Sequence, residues 1–329
     1  MRILSRTDLQ QAVAMRQVIE AMRQAFNRLS AGDADVPMRT AVRLGSQKGA
    51  TLFMPAYLPN GGGLGCKVVS VRPRNSEKGL PSIDALVVLL DEGTGRFLAA
   101  LEGAWLTTMR TGAASGVATD LLASPDARVL ACFGAGVQAA GQVEAVCALR
   151  SIERVWVKSR SEETALAFAK RISGKGRIPS DVRAARSSTE AMREADVVCT
   201  ATTSRTPVFD GRDLRPGTHI NAIGSYTLEM QEVDAETLRR ARIVVDSRAG
   251  CVAEAGDLFA AMTQGAIGGP ETWTELGELL LGRAPGRRSP DEITYFKSVG
   301  NAVQDVAAAT LALHEAERLG LGQVVDLGN

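Results

Sequence analysis

The sequence predicts an α/β protein in which a Rossmann-type, doubly wound parallel-sheet domain is joined to a discontinuous α+β domain with a mainly antiparallel sheet. Three observations predict it. A short apolar run meets a glycine pair and opens into a helical pattern at RVLACFGAGVQAAGQVE, residues 128–144. Strand and helix patterns alternate after that stretch, and five β-type runs without long helices between them precede it. A chain of 329 residues is long enough for two such domains.

In the glycine stretch, residues 129–133 read as a buried strand, and Gly134 permits the tight turn. Gly136 removes the side chain that would hold backbone N–H groups away from a pyrophosphate, and Ala139 is the third small residue, letting helix and strand pack closely. The helix that follows, over 137–149, points the positive end of its dipole at the phosphates. A second strand, over 154–157, ends in Lys158-Ser159-Arg160, where such a fold reads the ribose. In place of the Asp or Glu that accepts from a 2′-hydroxyl stand two cations flanked by Ser159 and Ser161. Arg160 can pair bidentately with a 2′-phosphate and Ser159 can donate to it. The turn therefore predicts NADP(H) as the preferred cofactor, with NAD(H) as the alternative; the bland reading is a solvated basic turn opening a helix.

From the N-terminus, Thr7 caps a helical region that breaks near Ala12 and runs to Ser30, with Val18, Ile19, Met22 and Phe26 as its apolar stripe and Gly32 as its end. Strands follow at 36–44, 50–57, 64–71, 83–90 and 97–101, then a helix over 102–122 rich in Ala, Gly and Thr, a composition suited to close packing. Beyond Arg160 come a helix over 162–172 and strands near 182–185, 197–201, 219–223 and 243–246. Residues 256–290 read as helical, broken by Gly268-Gly269-Pro270 and by a basic stretch at 283–288 that reads as an exposed loop. An amphipathic helix over 303–319 has no sheet left to cross to and returns to the first domain. The expected division is thus 1–119 with 298–329 for the discontinuous first domain, and 120–297 for the dinucleotide-binding domain.

Charge and cysteine usage narrow the partners. Lys plus Arg number 38 against 37 Asp plus Glu, so no bulk charge recruits nucleic acid or an anionic membrane, and small molecules and other subunits are the expected partners. The five cysteines, at 66, 132, 147, 199 and 251, have no C-x-x-C spacing and read as reduced packing residues. Charge at Arg6 and Asp8 interrupts any signal-peptide run, and no stretch reaches transmembrane length, which predicts a cytoplasmic protein. There is no H-E-x-x-H, G-x-S-x-G or P-loop lysine pattern, and no metal site is expected. His219, in a strand beside Asn221, reads as a satisfied core histidine.

Three cations occupy apolar surroundings: Arg43 in a strand, Lys67 in GCKVVSV and Arg110 in a helix of small residues. Buried cations need partners. One reading gives each an internal carboxylate, such as Asp84 or Glu102. The other makes them a pocket for a small α-carboxylate substrate beside a nicotinamide, where Arg offers a fork and Lys a point charge. Hydride transfer asks the protein for no nucleophile, only for the distance and angle between donor and acceptor carbons.

The ordered motifs LGCKVVSV, MRTGAASGVAT, FGAGVQA, INAIGSYTLEMQEVD and FKSVGNAVQDVAAA together resemble the ornithine cyclodeaminase and mu-crystallin family over nearly the whole chain. The resemblance implies a homodimer whose N-terminal sheet and C-terminal helix form the dimer domain, with a Rossmann domain across the active-site cleft. It implies that Arg43, Lys67 and Arg110 line that cleft as the catalytic set, the first two on the substrate carboxylate. It places Ser82, Arg110, Val137, Gln138, Thr200, Gly224 and Ser298 near the dinucleotide, beside Gly134 and Gly136. True cyclodeaminases look like GGDCPGK after the INA strand, whereas this chain has GSYTLEM, so Tyr226 takes the position of the acid/base Asp. A tyrosine is neutral at pH 7 and cannot supply a carboxylate for an ammonium. The expected activity is therefore reduction of a cyclic imino acid, Δ1-pyrroline-2-carboxylate or Δ1-piperideine-2-carboxylate, to L-proline or L-pipecolate. The alternatives are an NAD-recycling ornithine cyclodeaminase, an alanine dehydrogenase relative and a non-catalytic NADPH-binding crystallin.

Overall fold

The computed structural model describes residues 1–45 and 49–328. Positions 46–48 and 329, which belong to the expected substrate-binding domain, lie outside the described residues. The chain forms two compact units, Met1–Arg110 with Asn301–Asn329, and Thr111–Gly300. The fold is α/β, with one parallel sheet and one mostly antiparallel sheet.

In the first unit, strand β1 (Arg2–Leu4) precedes helices α1 (Arg6–Ala12) and α2 (Met15–Ala31). Ser5, rather than Thr7, caps α1, its hydroxyl accepting from Asp8 N. Strands β2 (Thr40–Leu44), β3 (Gly49–Leu58), β4 (Gly63–Val71), β5 (Ile83–Leu90) and β6 (Phe97–Glu102) lead into α3 (Gly103–Leu122). The unit changes inside that helix, at Arg110 rather than 119, because its second half packs on the following unit: a Cβ added to Gly112 would lie 2.4 Å from Gly141 O.

The second unit continues with β7 (Val129–Phe133), α4 (Val137–Leu149), β8 (Arg154–Lys158), α5 (Glu162–Ile172), β9 (Val182–Ala184), α6 (Ser188–Met192), β10 (Val197–Thr200), β11 (His219–Ala222), α7 (Ala235–Arg240) and β12 (Arg242–Val245). Helices α8 (Arg248–Glu254) and α9 (Gly256–Thr263), strand β13 (Thr274–Glu275), helix α10 (Leu276–Leu280) and strand β14 (Thr294–Lys297) complete it. Helix α11 (Ala302–Leu319) and strand β15 (Gln323–Val324) return to the first unit.

The first sheet runs β15-β1-β6-β5-β4-β3-β2, antiparallel except for the β1–β6 pair. Helix α11 covers its inner face, packing on β3, β4, β5 and α2. Two glycines of β4 seat the helix. A Cβ at Gly63, whose φ is +110°, would lie 2.2 Å from Thr310 Oγ1, and one at Gly65 would meet Val88 O at 2.5 Å and Val306 Cγ2 at 3.4 Å. Bare backbone at these positions lets α11 settle onto β4, with its first turn near Lys67.

The second sheet is wholly parallel, in the order β13-β12-β14-β11-β10-β7-β8-β9. The chain leaves β7 toward β8 and β9 and returns on the other side at β10. That is the topological switch point where open α/β sheets take ligands. Strand β14, Thr-Tyr-Phe-Lys, was not anticipated; it lies between β11 and β12 and is buried throughout. The basic stretch is a loop with Arg283 and Arg288 exposed, as expected, but Arg287 departs from that expectation. Arg287 is half-buried, its guanidinium donating to Leu122 O at 2.7 Å, Gly217 O at 2.8 Å and Glu292 O at 2.7 Å. His219 is buried between Thr294 Oγ1 at 2.9 Å and Asn221 Oδ1 at 3.2 Å, and burial lowers its pKa to about 3, so it remains neutral. All five cysteines are free thiols.

Candidate active site

In the first unit, the inner face of β4 carries Lys67, which is 2% exposed. Its Nζ lies 2.7 Å from Asp305 Oδ2. Arg110, 6% exposed on α3, donates from Nε to Asp305 Oδ1 at 3.0 Å and from Nη1 to Gln304 Oε1 at 2.6 Å. Asp305 sits in the first turn of α11, a helix capped by Asn301, whose side chain accepts from Val303 N. The anion between the two cations is therefore Asp305, not Asp84 or Glu102. Asp84 pairs with Ser70, one residue out of phase with Lys67 and so on the opposite face of the sheet. Glu102 instead accepts from Arg6 Nη2 and Trp105 N.

Burial lowers the Lys67 pKa most strongly. Asp305 raises it, Arg110 and Arg39 lower it, and the balance falls at about 8. Arg39 was not among the cations singled out from sequence. The β2–β3 register pairs Thr40 with Phe53, and the β3–β4 register pairs Met54 with Lys67. One further step of the first register puts Arg39 in the row of Met54 and Lys67, about 10 Å away across two strand spacings. Arg43 pairs with Ala50, which pairs with Val71. It is exposed on the same face, but about 13 Å farther along the strands. Thus Lys67 and Arg110 are brought together and Arg43 is not. Strand alternation puts 39 and 43 on one face; only the register distinguishes them. Ser82 precedes β5 in this unit, its carbonyl accepting from Arg72 N.

In the second unit, the sequence-predicted cofactor residues gather at the carboxyl ends of β7, β8, β10, β11 and β14. Gly134 has φ +116°, and a Cβ there would lie 2.4 Å from Ala201 O, so both conformation and space require glycine. Gly136 differs: a Cβ there would meet no atom within 4 Å. It caps α4 without a side chain, Val137 is 70% exposed, and Gln138 Oε1 is buried with no hydrogen-bond partner among the described residues. This open helix N-terminus, with no side chain at Gly136, fits the pyrophosphate of a dinucleotide.

At the end of β8, Lys158 Nζ donates to Arg186 O and Ser161 caps α5, while Arg160 is exposed and Ser159 half-buried. Thr200 and Gly224 are held by Glu232, a fully buried carboxylate that sequence reading passed over. It accepts from Thr200 Oγ1 at 2.9 Å, Thr202 N at 2.6 Å, Thr202 Oγ1 at 2.8 Å, Gly224 N at 2.7 Å and Ser225 N at 3.2 Å. Asp257 in turn accepts from the Glu232 and Val233 amides and pairs with Lys297 at 3.1 Å. The Ser298 hydroxyl donates to Asp246 at 2.7 Å. Tyr226 is exposed and neutral at pH 7, and partial desolvation raises its phenol pKa further above the ordinary value. Among the described residues no helix is long and apolar enough to cross a membrane, and no group of three His, Cys, Asp or Glu could hold a metal ion.

The family model for the ornithine cyclodeaminase/mu-crystallin family matches residues 1–318. The Delta(1)-pyrroline-2-carboxylate reductase of Bacillus cereus is 39% identical over 327 residues, covering 99% of this chain and 100% of that protein. The structure of the Thermococcus litoralis Delta(1)-pyrroline-2-carboxylate reductase, in complex with NADH and L-proline, superposes with a TM-score of 0.94 at 42% identity, over 99% of this chain and 100% of that one. An archaeal alanine dehydrogenase dimer with bound NAD superposes with a TM-score of 0.91 at 34% identity, over 99% of both chains. The chain therefore belongs to the ornithine cyclodeaminase/mu-crystallin family.

Proposed function

We propose that the protein is a reductase of cyclic imino acids, converting Δ1-pyrroline-2-carboxylate or Δ1-piperideine-2-carboxylate to L-proline or L-pipecolate with NADPH as preferred reductant. The observation that carries this reading is the buried pair Lys67 and Arg110 sharing the single carboxylate of Asp305. Two cations on one anion leave a positive charge in a desolvated place, and a substrate carboxylate would balance it. Lys67 supplies the point charge, and we assign the guanidinium fork to Arg39, in its row, rather than to Arg43. The similarity to two pyrroline-2-carboxylate reductases over their full lengths supports the same substrate class.

A nicotinamide dinucleotide bound at the α4 N-terminus supplies the hydride. The protein's part is to hold the imino acid by its carboxylate so that the adjacent C=N carbon is fixed in distance and angle. Arg160 and Ser159 suit a 2′-phosphate, with the neighbouring Lys158 and Ser161 committed elsewhere. Neutral Tyr226 offers no carboxylate to a distal ammonium, which disfavours cyclodeamination. We also propose a homodimer formed through the outer face of the first sheet, where Ile3, Val42, Phe53, Leu86 and Leu98 stand exposed.

The test is loss of reduced cofactor on mixing the protein with Δ1-pyrroline-2-carboxylate, run with NADPH and with NADH, beside an ammonia assay with ornithine and NAD. Faster NADPH loss with proline formed is expected. Ammonia from ornithine without net cofactor change would overturn the reading, and equal rates with NADH would overturn the cofactor preference alone.

A further inference from the structure

Asp305 has no part in holding substrate in the clamp proposed above, yet that clamp is built around it. Its carboxylate is fully buried, and each oxygen faces a different cation, Oδ2 the Lys67 ammonium at 2.7 Å and Oδ1 the Arg110 Nε at 3.0 Å. Its neighbour Gln304 accepts from Arg110 Nη1 at 2.6 Å, so consecutive residues of α11 hold two different nitrogens of one guanidinium. The charged groups facing Lys67 are Asp305 from α11, Arg110 from α3 and Arg39 from the approach to β2; its cross-strand neighbours are Met54 and Val87. Of the charged groups that act on Lys67, two are cations and one, Asp305, is a carboxylate.

We propose that Asp305 is the positioning residue that keeps Lys67 an ammonium and fixes the plane of Arg110, so that the charge by which the site recognises a carboxylate is set by the first turn of α11. The proposal rests on the carboxylate-clamp reading. A desolvated amine beside two positive charges loses its proton easily, and a neutral amine offers a carboxylate only a weak hydrogen bond. Burial and the two cations already bring Lys67 down to about 8 against the pull of Asp305. Without that carboxylate the balance falls further, and the amine is neutral over more of the working pH range. Seating of α11 on Gly63 and Gly65 would then matter to recognition as well as to packing, since it delivers the counter-charge.

The experiment titrates pyrrole-2-carboxylate, a planar carboxylate that cannot accept hydride, into the full chain saturated with NADPH, measuring affinity by calorimetry from about pH 6 to about pH 10. Wild-type binding should weaken above a midpoint set by Lys67. Asp305→Asn should move that midpoint down by about one pH unit or more and weaken binding at neutral pH by about tenfold. Lys67→Arg, which cannot titrate in this range, should abolish the midpoint. If Asp305→Asn does not fold, Asp305→Glu takes its place: it retains the charge and should leave the midpoint within about half a unit of wild type. An unmoved midpoint in Asp305→Asn, or a shift of a unit in Asp305→Glu, overturns the proposal. Unaltered affinity in Lys67→Ala would instead overturn the clamp reading itself.

Discussion

Replacing Lys67 with methionine should remove a gain in stability that the wild-type protein makes on going alkaline. An ordinary lysine titrates at 10.5 and Lys67 at about 8. Between those values the unfolded chain binds more protons than the folded one, so unfolding free energy rises with pH. At about 1.4 kcal/mol per unit, the interval of roughly 2.5 units is worth about 3 kcal/mol. This contribution is complete above 10.5 and is lost as the pH falls through 8. Methionine keeps most of the volume, leaves Asp305 paired with Arg110, and has nothing to titrate. Buried Tyr295 and the buried thiols, whose pKa values are raised, work in the opposite direction in both proteins and cancel in the difference. Urea unfolding at several pH values from about 7 to 10.5 gives that difference as wild type minus variant, and it should grow by about 3 kcal/mol. Parallel curves would refute the claim that Lys67 is a depressed, buried base.

The two arginines of the β2 region can be separated by kinetics. Arg39→Ala should lower kcat/KM for the imino acid by about 30-fold, the loss of about 2 kcal/mol of charge-assisted contact, and Arg43→Ala by less than about threefold. At the end of β8, Arg160→Ala should weaken NADPH binding by about tenfold while leaving NADH within about twofold, measured by nucleotide fluorescence. Glu232→Gln presents an NH2 group to donors that now meet a carboxylate oxygen. It should cost about 2 to 4 kcal/mol in urea unfolding, and dinucleotide affinity should fall as Thr200 and Gly224 lose their shared anchor.

Much of this architecture was legible because it is written in local pattern. The turn from Val129 through Leu149 combines a buried strand, two glycines and an apolar helix, and the observed β7 and α4 keep those bounds. Strand β14 was not legible: four residues buried on both faces show no alternation, and its lysine argues against burial until Asp257 is found beside it. The site divides in the same way. Lys67 and Arg110 betray themselves as cations among small and apolar neighbours. Their carboxylate lies 195 residues beyond Arg110, on a helix whose seat depends on two glycines of β4. No spacing rule carries that relation. Arg39 was passed over for a different reason: a period of two assigns a face, while the row on that face depends on how two hairpins are registered.

The return of α11 to the first unit also orders the protein in time. Residues 111–300 form a unit contiguous in sequence, whereas the first unit is complete only when residues 301–329 have been made. At about 5–20 residues per second, roughly 10 to 40 s of synthesis separate Arg110 from the carboxylate that answers it. Through that interval the nascent sheet carries two cations destined for burial and no counter-charge from Asp305. Residues 1–110 are therefore made well before the C-terminal helix that completes their unit, while the contiguous unit 111–300 can close as it emerges. A chain terminated before Asn301 should leave Lys67 accessible to amine-reactive reagents that the full chain excludes.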